Sequence, residues 1–85
     1  MSWRIVWSPH ALRDFGKLDP QIRERVRDAL RRYVETEQGD VVRLRGANPP
    51  EWRLRVGDFR VRFCLDFPTS TLEILRVLRR DKAYR

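Results

Sequence analysis

The sequence is poor in the residues that most enzymes use for chemistry. Its 85 residues include one cysteine, Cys64, and one histidine, His10. One cysteine excludes an internal disulfide. One Cys with one His cannot build a thiolate or imidazole metal cluster, so no metal site is expected. The four glycines form no glycine-rich phosphate loop. No run approaches the ~18 apolar residues of a membrane-spanning helix, and "MSWRIVWSPH" lacks the long apolar segment of a signal peptide. Lysine is scarce too: of 19 basic residues only Lys17 and Lys82 are lysine. The chain therefore reads as a soluble, cytoplasmic protein without cofactor or membrane contact, with Cys64 a buried, reduced thiol in a strand. Its length fits one domain, residues 1–85.

What the sequence does have is positive charge and periodic bulk. The net charge is +7 and the pI about 11. Such a balance argues about partners, and polyanions come first: nucleic acid, a ribosome or an acidic protein. Arginine in particular offers a planar fork for phosphate and a flat surface for bases. Base composition of a genome can raise the arginine total without function, so the positions of the arginines matter more than their number. With 41% hydrophobic and 11% aromatic residues, spaced periodically, a folded core is expected rather than a disordered basic tail.

Along the chain, "WRIVW" (3–7) alternates as a first strand. Ser8 is suited to an N-cap and Pro9 to the first helical position. Ala11, Leu12, Phe15 and Leu18 follow at helical spacing. Asp19–Pro20 repeats the signal for a second helix, whose stripe is Ile22, Val26, Ala29, Leu30, Tyr33 and Val34, with Gly39 as the expected C-terminal cap. Strands are expected at 41–45 ("VVRLR"), 52–56 ("WRLRV"), 59–67 ("FRVRFCLDF") and 71–78 ("TLEILRVL"). The last is apolar toward both faces, which suits a central position. The order β-α-α-β-β-β-β gives an α+β domain: an N-terminal strand, an antiparallel two-helix hairpin, then an antiparallel sheet packed on it.

The stretch "WRLRVGDFRVRF" (52–63) carries the strongest signal. Gly57–Asp58 makes a two-residue hairpin loop, which fixes the register. Arg55 then opposes Arg60, and Arg53 opposes Arg62. Like charges directly opposite cost roughly 0.2–1 kcal/mol per pair. The apolar partners need the helices, so the arginines belong on the uncovered face, joined there by Arg43 and Arg45 in the same in-out rhythm. Long arginines can splay into water, but here the cost recurs at every position of the register. A phosphate backbone would offset it. "LRRDKAYR" (78–85) adds Arg79, Arg80, Lys82, Tyr84 and Arg85, and a tyrosine among arginines suits a stacked base with its phosphates.

Other chemistry is sparse. His10 has no identifiable acid partner, Asp58 reads as a turn residue, and Asp66 and Glu73 form no carboxylate pair by spacing alone. An enzyme is still open, because RNA supplies its own nucleophile, the ribose 2′-hydroxyl. A protein then needs to position the chain and stabilise charge on the phosphorane. Arginines can do this, but they cannot readily accept a proton.

With these residues in view, the chain resembles the RelE/ParE superfamily of toxins from type II toxin–antitoxin systems. The resemblance runs through "SPHALRDFGKLD", "VVRLRG", "WRLRVGDFRVRF" and "LRVLRRDKAYR", and is most specific from Arg55 to Arg60. It implies the RelE-like microbial RNase-type fold. For the RelE branch it implies a ribosome-dependent mRNA endoribonuclease acting in the ribosomal A site, by metal-independent 2′-hydroxyl transesterification. On that reading the catalytic residues are Arg53, Arg55, Arg60, Arg80 and Tyr84, with Arg43, Arg45, Arg62, Arg79 and Lys82 binding RNA. Lysines often stand in family members where Arg53 and Arg55 stand here. The partner implied is a cognate acidic antitoxin, with operator DNA reached only through that complex. Two alternatives stay open: a ParE-like inhibitor of DNA gyrase without enzymatic activity, and an RNA-binding module without catalysis. The ParE branch generally lacks the C-terminal Arg–Tyr element.

Overall fold

Alternating bulk at Ile5 and Trp7 makes the first strand, β1 (Arg4–Trp7), in a computed structural model that describes residues 3–82. Ser8 then converts extended chain into helix. Its Oγ accepts the Ala11 N–H at 3.1 Å, and its hydroxyl donates to the Leu75 carbonyl at 3.0 Å. One side chain thus caps a helix and ties it to the sheet. Pro9 opens α1 (Pro9–Gly16), and Pro20 opens α2 (Pro20–Thr36). Asp19 holds the N-cap place of α2 without a side-chain capping bond.

The end of α2 differs from expectation. Glu37, not Gly39, takes the left-handed cap conformation, with φ at 58°, and its N–H donates to the Tyr33 carbonyl at 2.7 Å. Gly39 serves close packing instead: a Cβ there would sit 3.1 Å from Leu54 Cδ1.

Four strands follow: β2 (Val41–Leu44), β3 (Glu51–Val56), β4 (Phe59–Asp66) and β5 (Thr71–Arg79). They form one five-stranded sheet in the order β1-β5-β4-β3-β2. β2 to β5 are joined by short connections and therefore alternate in direction. β5 lies between β1 and β4, which explains why it is apolar toward both faces. One pairing departs from an all-antiparallel sheet: β1 and β5 run parallel, from Arg4 opposite Thr71 to Trp7 opposite Ile74. The helical crossover after β1 makes that geometry possible. The register of β4 and β5 slips between Arg62 and Phe63, leaving Leu75 as the extra residue.

The helices cover one face of the sheet. Val26, Leu30 and Val34 of α2 pack with Leu54, Val61, Phe63, Leu72 and Ile74, all essentially buried. Phe63 sits at the centre, tilted against Tyr33 (5.6 Å between ring centroids) and stacked on Trp52 (6.4 Å). Burying a side chain of that class contributes about 1.5–3 kcal/mol. Beyond Ile74 the edge of β5 has lost β1, and α1 takes over. Asp14 accepts the Val77 N–H at 3.0 Å and holds Arg76 through two further bonds, at 2.7 and 3.2 Å. A carboxylate thereby closes an open sheet edge.

Candidate nucleic-acid interface

The hairpin forms in the register that its two-residue loop dictates. Arg55 opposes Arg60, and Arg53 opposes Arg62. Gly57 takes φ of 56°, the left-handed value that the tight hairpin turn requires. Because Leu54, Val56, Val61 and Phe63 face the helices, these four arginines share the face without helices. Asp40, Val42, Arg53, Arg55 and Arg60 line one cavity there of about 180 Å³.

The arginines are not equivalent. Arg60 is 7% exposed, and its Nη1 donates to the carbonyls of Gly57 (2.8 Å) and Phe59 (2.9 Å). It therefore braces the turn while lining the cavity. Arg62 is held by Glu51 in a forked pair, with Nη2 2.8 Å and Nε 3.2 Å from Oε2. Arg55 Nη1 lies 3.8 Å from Asp40 Oδ2, and both side chains are largely exposed. The face is thus not free of acids, as the hairpin alone had implied. Self-repulsion is relieved partly from within, by carboxylates that lie outside the hairpin stretch.

The face is also polar along its length. Glu51 precedes Arg53 by two residues and shares its side of the sheet. Cys64 pairs with Glu73 across β4 and β5. An acidic end, with Glu51, Cys64 and Glu73, therefore adjoins the arginine end near the turn. Burial, then the charges of Glu51 and Glu73, push the Cys64 thiol above its ordinary pKa, while Arg62 pulls it down. Cys64 is half-buried rather than fully buried.

Four further basic residues lie away from this face. β2 pairs so that Val42 opposes Arg53 and Arg43 opposes Trp52. Arg43 consequently points to the Trp52 side, with its guanidinium carbon 5.7 Å from that ring's centroid. Val41 packs inward against the core and sets this phase. Arg45 lies in the turn beyond β2. Arg79 opposes Phe59 and rests 5.9 Å from its ring, again on the helix side. Lys82 lines a separate cleft of about 320 Å³ with Lys17, Leu18, Ile22 and Arg79. Arg80 stays near the hairpin: its N–H donates to the Asp58 carbonyl at 2.8 Å. It is the first residue of the turn that follows β5. Tyr84 lies outside the described residues.

The cavity thus gathers Arg53, Arg55 and Arg60, with Arg80 anchored beside the turn. That set can bind and neutralise a phosphate. Among the described residues no group of His, Cys, Asp and Glu could hold a metal ion, and no helix is long and apolar enough to cross a membrane. Sequence reasoning missed Asp40 and Glu51. Both act across strand pairs, and only the phase of β2 and the start of β3 reveal them.

The chain matches the family model described as the ParE toxin of type II toxin–antitoxin system, parDE, over residues 5–84. A comparison with curated protein sequences gives no significant match. Among solved structures it is similar to the toxin–antitoxin complex RelBE2 from Mycobacterium tuberculosis, at 27% identity over 94% of this chain and 100% of that chain, with a TM-score of 0.72. It is similar to the archaeal RelE–RelB complex from Pyrococcus horikoshii OT3, at 26% identity over 98% of this chain and 100% of that chain, TM-score 0.73. The YoeB/ParE toxin from Agrobacterium tumefaciens shares the fold, at 19% identity over 89% of this chain and 96% of that chain, TM-score 0.74.

Proposed function

The chain belongs to the ParE toxin family of type II toxin–antitoxin systems, and from that premise we propose that it is a ribosome-dependent mRNA endoribonuclease. The observation that carries this reading is the cavity on the uncovered sheet face, where Arg53, Arg55 and Arg60 meet. The message's 2′-hydroxyl attacks the adjacent phosphorus, and the arginines neutralise the charge of the phosphorane. Arg53 and Arg55 hold the phosphate, Arg60 keeps the turn in place, and Arg80 extends the grip along the backbone. Tyr84 takes the neighbouring base. Arg62, half-buried in its fork with Glu51, shapes the floor of the site. No metal enters the reaction.

The test is primer extension on an mRNA with and without ribosomes. Wild type is expected to cut only with ribosomes, and Arg55→Ala to cut ~100-fold more slowly or worse. Message left intact by wild type overturns the enzyme reading. Binding of message without cutting would instead leave an RNA-binding module without catalysis.

A second reading has a specific observation in its favour: the family model that matches is that of ParE toxins. On it the chain binds and inhibits DNA gyrase. Plasmid supercoiling by gyrase, with and without the purified chain, separates the two.

The Pyrococcus and Mycobacterium relatives were solved as toxin–antitoxin complexes. We take the partner here to be an acidic antitoxin that covers the arginine face. Co-expression of that partner is expected to rescue growth arrest caused by the chain alone.

A further inference from the structure

Cleavage through the 2′-hydroxyl needs a group that takes its proton, and arginine is unfit for that. The inference that follows rests on the ribonuclease reading above. Few acceptors compete among the described residues. His10 does not line the cavity, and its Nδ1 lies 3.0 Å from Arg13 Nη2 within α1. Glu51 has both carboxylate oxygens engaged by Arg62. Asp58 faces the helix side, lining a small cleft with Ile22, Arg25, Val56 and Phe59.

Asp40 is placed differently. It is the one carboxylate lining the cavity with Arg53, Arg55 and Arg60. Its backbone is fixed, because the Arg55 N–H donates to the Asp40 carbonyl at 2.9 Å and Val41 pairs opposite Leu54. Its side chain is 61% exposed, and its contact with Arg55 is a loose 3.8 Å. A carboxylate has about four lone-pair sites, so this contact leaves room for a substrate hydroxyl.

We propose that Asp40 is the general base of the cleavage. Its carboxylate takes the 2′-hydroxyl proton as the 2′-oxygen bonds to the adjacent phosphorus. The bond from phosphorus to the 5′-oxygen breaks, and that oxygen takes a proton from water. The products are a 2′,3′-cyclic phosphate and a 5′-hydroxyl, and Asp40 returns its proton to solvent. An acid at this point also accounts for arginines at positions 53 and 55: no proton acceptor is needed from them.

The test uses single-turnover cleavage of message on programmed ribosomes by wild type, Asp40→Asn and Asp40→Glu. It is paired with the Kd for the same complex carrying a 2′-deoxynucleotide at the cleavage position. Asp40→Asn is expected to slow cleavage ~100-fold or more. Its Kd should be unchanged or tighter, because a negative charge leaves a phosphate site. Asp40→Glu should recover at least about tenfold of the loss. Two outcomes overturn the proposal: Asp40→Asn cleaving within about threefold of wild type, or cleavage and binding falling together with no recovery by glutamate, which marks mere support of Arg55. Wild type that leaves message uncut defeats the ribonuclease reading itself, a result distinct from either.

Discussion

Asp14 sits on an eight-residue helix and yet ties together the helix layer and the sheet. Burial alone would raise its carboxyl pKa. The Arg76 side chain and the Val77 N–H, with the charge of Arg76, outweigh burial and hold it below the usual value. A depressed carboxyl stabilises the fold above its unfolded pKa, about 3.9. That contribution disappears as pH falls through the still lower folded value. Asp14→Asn is expected to cost about 1–2 kcal/mol at pH 7, discounted because Arg76 is partly exposed. Urea titrations should show the gap to wild type closing below about pH 4; a gap unchanged at pH 3 would sink this account. Cys64 offers a second check at this scale. With its pKa raised by burial, Glu51 and Glu73, the folded thiol is expected to alkylate more slowly at pH 7.5 than the unfolded chain. Glu73→Gln should speed it, as read by mass spectrometry with iodoacetamide. The cysteine's place in a strand was legible in the sequence. Its acidic neighbours were not, because they lie on other strands.

At the scale of elements, legibility depended on how tightly local chemistry constrains each piece. Ser8–Pro9 and Asp19–Pro20 marked both helix starts, since capping and fixed φ act locally. The Gly57–Asp58 loop fixed the arginine pairs to the residue. β2 resisted, because "VVRLR" has apolar residues at both parities and an edge strand accepts either phase. Val41 packing inward decided it, and Arg43 went to the Trp52 side. The burial of Arg60 was equally hidden: nothing in an alternating strand tells that one cation will turn back onto carbonyls of its own loop. Gly57 carries the cleanest prediction here. Its φ of 56° strains any L side chain, and a Cβ would meet Arg25 Nη2 at 2.8 Å. That contact can yield, since it is the tip of a flexible side chain, but the backbone cannot. Gly57→Ala is expected to cost about 1–2 kcal/mol, read from the urea midpoint with an unchanged m-value.

Across the whole molecule the charge is uneven, and that decides what a polyanion would meet. Several of the 19 basic residues are paired internally: Arg62 with Glu51, Arg76 with Asp14, Arg27 with Glu24. On the uncovered face Arg53, Arg55 and Arg60 line the cavity, and with Arg80 they are the set we propose for phosphate contact. The acidic end at Glu51 and Glu73 bounds that set, so a bound strand should lie over the turn end of the sheet and not along its full length. Binding should therefore release few counterions. With three or four phosphates neutralised, the slope of log K against log salt for single-stranded RNA is expected near −2 to −3, from ~0.7 per contact. Arg55→Ala should reduce that slope by about 0.7 and weaken binding alike for all sequences. Glu51→Gln should do the reverse, because Arg62 would lose its fork partner and its charge would reach the strand. Titrating a labelled oligonucleotide between 50 and 300 mM salt measures all three, with about a six-fold change in K per unit of slope. A slope near zero for wild type would mean that the arginine face meets no nucleic acid and exists for its protein partner.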